Sequence, residues 1–142
     1  MYSVLNNNNS AKMVKKPFPY LIIDNALPVD YYNKLNDVFP DYSKIINNSE
    51  YKQNSPYRYS ASQSLLDVDI KEIWKEFISY HTSYNFLEEF YKCFEQSIHD
   101  NYPGSREKLP TRKDCGVRFT GNYNFHLDCQ FVINTPVEIE SS

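Results

Sequence analysis

Hydrophobic residues follow a strand-like pattern near the start of the chain and helical patterns further on. In residues 17–25, β-branched and aromatic side chains stand among prolines and are followed by an Asp-Asn pair. This pattern predicts a short buried strand. Next, Tyr31, Leu35 and Val38 are spaced to share one helical face, and Pro40 follows them. They predict a first helix that ends at this proline.

Two more helices are predicted from apolar stripes in the middle of the chain. Asp69 is an expected N-cap with Glu72 as its capping-box partner. The first stripe then has helical spacing and consists of Ile70, Ile73, Trp74, Phe77 and Ile78. The second recurs every four residues and consists of Phe86, Phe90, Phe94 and Ile98. The sequence Tyr-Pro-Gly at residues 102–104 is expected to end the third helix.

The segments around these helices predict loops and strands. Residues 1–16 include an asparagine run and predict a flexible N-terminal tail. Residues 42–63 are polar without a steady period, which is typical of a long loop, here with one short strand. Residues 115–121 and 127–134 predict two strands, which residues 121–124 would join as a hairpin.

These elements predict an α+β fold in which an N-terminal strand and about three helices pack on the first strands of a sheet. About three strands are visible, whereas a mean sheet has about five to six. The chain therefore resembles a domain whose sheet is incomplete. We expect the helical stripes to supply one common core, made of Leu35, Val38, Ile73, Trp74, Phe77, Phe90, Phe94 and Ile98.

The amino-acid composition favours a protein with a single domain and argues against several other classes of protein. The chain has 142 residues, of which 41% are hydrophobic, enough for one domain with one core. A net charge of −3 argues against a nucleic-acid partner. No apolar run approaches the roughly 20 residues of a membrane span, and the start lacks a signal-peptide core. Cys93, Cys115 and Cys129 are odd in number and widely spaced, which predicts free thiols and a cytoplasmic location.

The sharpest local motif is His126-Leu127-Asp128. Residues i and i+2 of a strand point to the same face, so an imidazole and a carboxylate could share a divalent metal there. Non-haem iron(II) oxygenases use two histidines and one carboxylate in this way. No histidine follows His126, however, and His81 and His99 lie upstream in helical segments. We therefore expect His126 and Asp128 to be structural or surface residues and not iron ligands.

Three other side chains could carry a function. Trp74 lies on the apolar face of a helix and is expected in the core. Arg58 could bind an anion from the long loop, although an ordinary loop arginine stacked on tyrosine accounts for it as well. Cys115 has no evident base beside it, which favours an inert thiol over a nucleophile.

Two segments resemble a known family. Residues 17–28 read Pro-Phe-Pro-Tyr-Leu-Ile-Ile-Asp-Asn-Ala-Leu-Pro, and the helix after them ends in Phe39-Pro40. This resembles the opening of iron(II)/2-oxoglutarate-dependent dioxygenases, in their prolyl-4-hydroxylase-like branch. Residues 128–137 read Asp-Cys-Gln-Phe-Val-Ile-Asn-Thr-Pro-Val. They are similar to the strand that shortly precedes the metal-binding His-X-Asp in bacterial and viral members.

The resemblance implies the first strands of a double-stranded β-helix, or jelly roll. It also implies Fe(II) and 2-oxoglutarate as cofactors of the full-length family. The reaction would be hydroxylation of an unknown substrate, coupled to oxidative decarboxylation of 2-oxoglutarate. In the family register, Gly-Pro-His-X-Asp and the distal histidine come after residue 142, so His126 and Asp128 come too early. We expect residues 17–142 to be the N-terminal part of such a domain, truncated before the metal-binding motif and inactive as this chain alone.

Two alternatives stay open. The first is a non-enzymatic interaction module derived from that fold, which would self-associate through uncovered apolar stripes and open sheet edges. The second is a metalloprotein in which His126 and Asp128 do bind iron. Its third ligand would come from His81, from His99 or from a partner chain. If the oxygenase assignment is right, the expected partner is a downstream-encoded C-terminal half.

Overall fold

Short strands lie near both ends of the chain and helices fill most of its middle, where the longest element is a helix of 18 residues. The computed structural model describes residues 2–7, 11–47, 49–104 and 110–138. Within them the elements are, in order, β1 (Lys12–Val14), β2 (Tyr20–Ile22), α1 (Val29–Asp37), α2 (Tyr42–Ile46), β3 (Pro56–Tyr59), α3 (Ala61–Leu66), α4 (Glu72–His81), α5 (Tyr84–Asn101), a 3-10 turn (Arg112–Asp114), β4 (Cys115–Val117), β5 (Phe125–Leu127) and β6 (Phe131–Asn134). This mixture confirms the α+β class.

The strands pair in three separate couples. Strands β1 and β2 are antiparallel, with Lys12 opposite Ile22. Strands β3 and β6 are also antiparallel, with Tyr59 opposite Phe131. Strands β4 and β5 run parallel. The β3–β6 pair therefore joins segments far apart in sequence, because β6 lies beside a strand from the middle of the chain.

The predicted hairpin between residues 115–121 and 127–134 is wrong. The partner of β4 is β5 in parallel, and residues 131–134 pair with β3 instead. The tyrosine between the two short strands accounts for part of this arrangement. The Tyr123 ring lies against Gly116, where an added Cβ would come within 2.2 Å of the ring carbons. Glycine at this position leaves room for the ring.

The helices α2, α3 and α4 cover one face of the β3–β6 pair. The buried core side chains there are Ile45, Tyr59, Ala61, Ile70, Ile78 and Phe131. Trp74 packs against this cluster with its ring centroid 4.9 Å from that of Phe131, and its Nε1 donates to the Leu35 carbonyl at 2.9 Å. The expectation that Trp74 belongs to the core is confirmed.

The prediction of one common core is wrong for Phe90 on α5, whereas Phe94 and Ile98 on the same helix are half-buried. Leu35 is buried, and Val38 at the end of α1 is half-buried. Ile73, Trp74 and Phe77 on α4 are half-buried as well. Phe90 by contrast is 42% exposed, and α5 has no fully buried side chain. Helix α5 thus has the predicted length and stripe, but its C-terminal half faces a groove instead of the core.

The N-terminal ends of α3 and α4 differ in whether a side chain caps the helix. Helix α3 begins at a capping box, because Gln63 N–H donates to Ser60 Oγ and the Gln63 side chain accepts from Ser60 N–H. The predicted cap at Asp69 and Glu72 is wrong, since α4 has Lys71 at its N-cap without a side-chain hydrogen bond. Asp69 instead pairs with Lys44 at 3.0 Å.

The N-terminal residues contain more structure than the sequence indicated. The prediction of a tail over residues 1–16 missed β1, which pairs with β2. Strand β2 itself is less buried than predicted, with Ile22 49% exposed. Residues 2–4 lie against the helices, where Ser3 is 2% exposed and the Tyr2 ring packs 4.8 Å from that of Tyr31.

Candidate functional site

The His-X-Asp motif lies at the end of β5, and the two side chains have different surroundings. His126 is exposed on β5, with its ring centroid 6.0 Å from that of Tyr123. Strand β5 ends at Leu127, so the alternation that would place both side chains on one face does not extend to Asp128. The motif therefore does not present a paired imidazole and carboxylate along a continuous strand.

The Asp128 carboxylate is engaged by neighbouring donors. Its Oδ1 accepts from the backbone N–H groups of Ala61 and Cys129, both at 2.9 Å. Its Oδ2 accepts from Gln130 Nε2 at 2.7 Å and lies 3.7 Å from Arg118 Nη1. Ala61 is the first residue of α3, where backbone N–H groups have no partner within the helix. Asp128 therefore ties the segment between β5 and β6 to the start of α3.

The other histidines do not complete a metal site with this pair. His81 is buried, and its Nδ1 and Nε2 each have a backbone partner. His99 is exposed on α5. Within residues 2–7, 11–47, 49–104 and 110–138, no three His, Cys, Asp or Glu side chains are grouped to hold a metal ion. The described residues thus do not fit iron. That His126 and Asp128 are not iron ligands stays a prediction, and the hydrogen bonds of Asp128 support it.

Arg58 lies on β3 and not in a loop. Its Nη1 donates to Gln130 Oε1 at 3.2 Å, and its Cα partner across the pair is Val132. Gln130 also donates to Asp128, so one side chain connects the arginine with the carboxylate. The hydrogen bond to Gln130 gives Arg58 a structural role, and neither an anion nor a tyrosine stack is needed to explain it.

None of Cys93, Cys115 and Cys129 forms a disulfide, as predicted. Burial, together with the charge of Asp128, raises the pKa of Cys129 to about 11. Burial, with the nearby Asp114, also raises the pKa of Cys115. Both thiols are protonated at neutral pH, which supports the expectation that Cys115 is not a nucleophile.

A charged cluster joins α2, β3 and the segment after α3. Tyr59 Oη donates to Asp67 Oδ2 at 2.6 Å, and Lys44 Nζ lies 3.0 Å from the same oxygen. The Tyr59 hydrogen bond is the main cause that lowers the pKa of Asp67 to about 2, with help from the Asp69 amide and Lys44. Burial, first, and this hydrogen bond raise the pKa of Tyr59 to about 12. The sequence did not indicate the cluster.

We expect the Tyr59→Phe variant to be less stable near neutral pH by about 1 kcal/mol, because Asp67 loses a hydrogen bond. The loss should shrink at acid pH. The folded pKa of Asp67 is about 2 against an ordinary 3.8, so its stabilisation is present above 3.8 and disappears as the pH falls toward 2. Urea unfolding of both proteins across this range measures the difference.

Tyr57 provides the matched control for this experiment. It lies two residues away on the same strand, and its hydroxyl bonds to the Glu50 carbonyl and the Lys52 amide, both at 2.6 Å. Neither partner titrates, so the cost of Tyr57→Phe should not change with pH. A Tyr59→Phe effect that stays constant through the same range would contradict the assigned role of Asp67.

An apolar groove of about 850 Å³ runs between α5, β2 and the N-terminal residues. Among the described residues that line it, none is charged. The main contributors are Val4, Leu5, Tyr20, Leu21, Phe90 and Phe94. The four-residue spacing of the α5 stripe was visible in the sequence, but that spacing does not distinguish a groove wall from a core face. The volume and the apolar lining of this groove are in the range found for ligand-binding pockets.

Comparison with known proteins identifies no relative, since no protein-family model, curated protein or solved structure matches the chain. The part of the chain that the structure describes contains no helix with the length and hydropathy to cross a membrane. Function must therefore be argued from the residues and their arrangement.

Proposed function

We propose that this chain is the N-terminal part of an iron(II)/2-oxoglutarate-dependent oxygenase domain. The observation that supports this most directly is the β3–β6 pair, which is covered by helices on one face and exposed on the other. Its strand β6 lies within residues 128–137, the segment that resembles the strand ahead of the metal motif in that family. The helical cover and the strand it supports are what the front half of such a domain must supply.

The two faces of the pair differ in what they present. Tyr59 and Phe131 are opposite each other and buried against the helices. Arg58 and Val132, the next opposed pair, are exposed on the other face. Each strand has a single partner among the described residues. Strands added to this pair would continue it toward a double-stranded β-helix, whose jelly-roll core needs about eight strands.

The role of this chain in that domain would be to hold the sheet in place. Asp128 connects β5 and β6 to the first turn of α3, and Trp74 on α4 packs on Phe131 of β6. Iron and 2-oxoglutarate, when bound by the complete domain, would supply the oxygen chemistry. The described residues do not fit the metal, so the iron ligands and the grip on 2-oxoglutarate would come from polypeptide beyond residue 142.

The chain alone should release no succinate from 2-oxoglutarate when it is supplied with Fe(II), ascorbate and a broad panel of substrates. The DNA downstream of codon 142 should encode Gly-Pro-His-X-Asp and a distal histidine. The polypeptide joined to that segment should release succinate, and a chelator should abolish the release. A downstream frame without these motifs, or a joined polypeptide that is folded and inactive, would reject the proposal.

His126 serves as the control within this chain. If the iron ligands lie downstream, His126→Ala should leave succinate release by the joined polypeptide unchanged. Chelator-sensitive turnover by the chain alone, lost in His126→Ala, would instead favour the metalloprotein alternative. The variant therefore separates the two hypotheses on the same assay.

The apolar groove favours a second candidate, a non-enzymatic interaction module. The helical stripe of α5 leaves Phe90 and its neighbours exposed to a space large enough for another apolar segment. A module of this kind would leave the joined polypeptide inactive toward 2-oxoglutarate even when it carries the downstream segment. The succinate assay thus distinguishes it from the oxygenase.

A further inference from the structure

The N-terminal residues are attached to the helices through one histidine and one glutamate. Val4 N–H donates to His81 Nε2 at 3.1 Å, and Ser3 Oγ donates to Glu89 Oε2 at 2.6 Å. Leu5 N–H in turn donates to Ser3 Oγ at 3.1 Å. Residues 2–5, here called the strap, therefore depend on two titratable side chains, one at the end of α4 and one on α5.

The hydrogen bonds of His81 fix its protonation state. Val4 N–H is a donor, so Nε2 must present a lone pair. Nδ1 lies 2.7 Å from the Phe77 carbonyl, which can only accept, so Nδ1 carries the proton. The strap is compatible with the neutral imidazole that is protonated on Nδ1 and with no other form.

We propose that residues 2–5 form a pH-sensitive strap that neutral His81 holds in place and that protonated His81 releases. A proton on Nε2 would point at Val4 N–H, so that two donors face each other. The imidazole cannot be hydrated in place, because it is 8% exposed and stacks 4.0 Å from Phe77, with Phe86 at 4.7 Å. Charging the ring therefore requires the strap to move.

Release of the strap would change the apolar groove. Val4 and Leu5 line one side of it, across from the side chains of α5 and β2. Their departure would widen the groove and expose Phe94 further, so that an apolar ligand or segment could enter from that side. The proposed switch thus couples the charge on His81 to access to the groove.

Three titratable side chains, Glu89, Tyr80 and Tyr2, belong to the segments around the His81 ring. Burial lowers the pKa of His81 from 6.5, and it outweighs the hydrogen bond to the Phe77 carbonyl and the charge of Glu89 on α5, which both raise this pKa. Tyr80 on α4 hydrogen-bonds Glu89, and burial, this bond and the Glu89 charge raise the pKa of Tyr80. Tyr2 of the strap packs on Tyr31. Glu89, the one carboxylate among these groups, would accept the charged ring once Val4 has left.

The test is a titration of the full chain followed by NMR, from about pH 7.5 to about pH 5. Above the ordinary histidine value, the nitrogen shifts of His81 should show an unprotonated Nε2, and the Val4 amide should be protected from exchange. On acidification, protonation of Nε2 and loss of Val4 protection should share one midpoint below 6.5. After correction for intrinsic exchange, we expect the protection of the Val4 amide to fall about tenfold or more, because the amide loses one hydrogen bond and the packing around it.

Two glutamine variants give the matched comparison. A glutamine side chain in place of His81 can accept from Val4 without ever becoming charged, so His81→Gln should keep Val4 protected throughout the range. His126→Gln removes an exposed histidine and should keep the wild-type transition. A Val4 transition that survives in His81→Gln would overturn the proposal. So would a native chain in which His81 titrates while Val4 protection stays constant, a result that does not depend on whether the variant folds.

Discussion

Replacing Phe131 with alanine is expected to lower the free energy of unfolding by about 3–5 kcal/mol, the usual cost of removing a buried phenylalanine. Phe131 is 4% exposed and joins the β3–β6 pair to the helices. Its ring centroid lies 4.9 Å from that of Trp74 and 5.4 Å from that of Phe39. Deleting the ring leaves a cavity between β6, Trp74 on α4 and Phe39, which follows α1, and these rigid aromatic neighbours limit its collapse.

Urea unfolding followed by Trp74 fluorescence measures this effect directly, because the indole is in contact with the deleted ring. Val132→Ala is the matched control, since Val132 is the next residue on β6 and is 41% exposed. Its cost should be within about 1 kcal/mol, as for a partly exposed valine. Equal costs for the two variants would mean that the helices do not pack on this face of β6.

Replacing Asp128 with alanine should cost about 2–4 kcal/mol, because the N–H groups of Ala61 and Cys129 and the Gln130 side chain lose their acceptor. Ala61 is 0% exposed, so water cannot easily replace the carboxylate there. The Arg118 ion pair contributes little, since that arginine side chain is 50% exposed. Asp128→Asn should cost less than Asp128→Ala, because the amide oxygen can still accept from Ala61.

His126→Ala is the control for Asp128 and should change stability by no more than about 0.5 kcal/mol, as for an exposed residue away from such contacts. Thermal unfolding with and without Fe(II) should give the same ranking of the three variants. A wild-type chain stabilised by Fe(II), with the stabilisation lost in both His126→Ala and Asp128→Ala, would mean that the pair binds metal after all.

The sequence-based prediction of the candidate site was incomplete for a physical reason. The Ser-x-x-Gln spacing at residues 60–63 was available as a capping-box signal for α3. The second acceptor at the start of that helix, Asp128, comes from the far end of the chain. In a sequence, a carboxylate near a histidine can be either a metal ligand or an acceptor at a helix end. The two roles are distinguished only by the groups that donate hydrogen bonds to the carboxylate. The donors of Asp128 are backbone groups that no sequence pattern identifies.

The stripes of α4 and α5 illustrate the same distinction. Both have apolar side chains at helical spacing, and both helices form where the spacing predicts. Phe77 on α4 lies beside Trp74 and is half-buried, whereas Phe90 on α5 borders an open groove. Spacing reveals that a helix has an apolar face, but burial depends on what other parts of the chain place against that face.

The sequence by itself determined the helices α1, α4 and α5 and the α+β class. Helical periodicity is local, because residues three and four apart share a face whatever the rest of the chain does. Only the tertiary structure decided that β6 pairs with β3, that β4 and β5 run parallel, and that Asp128 and His81 bind backbone groups. Strand pairing and buried polar contacts join residues far apart in sequence, so their partners depend on which surfaces the folded chain brings together.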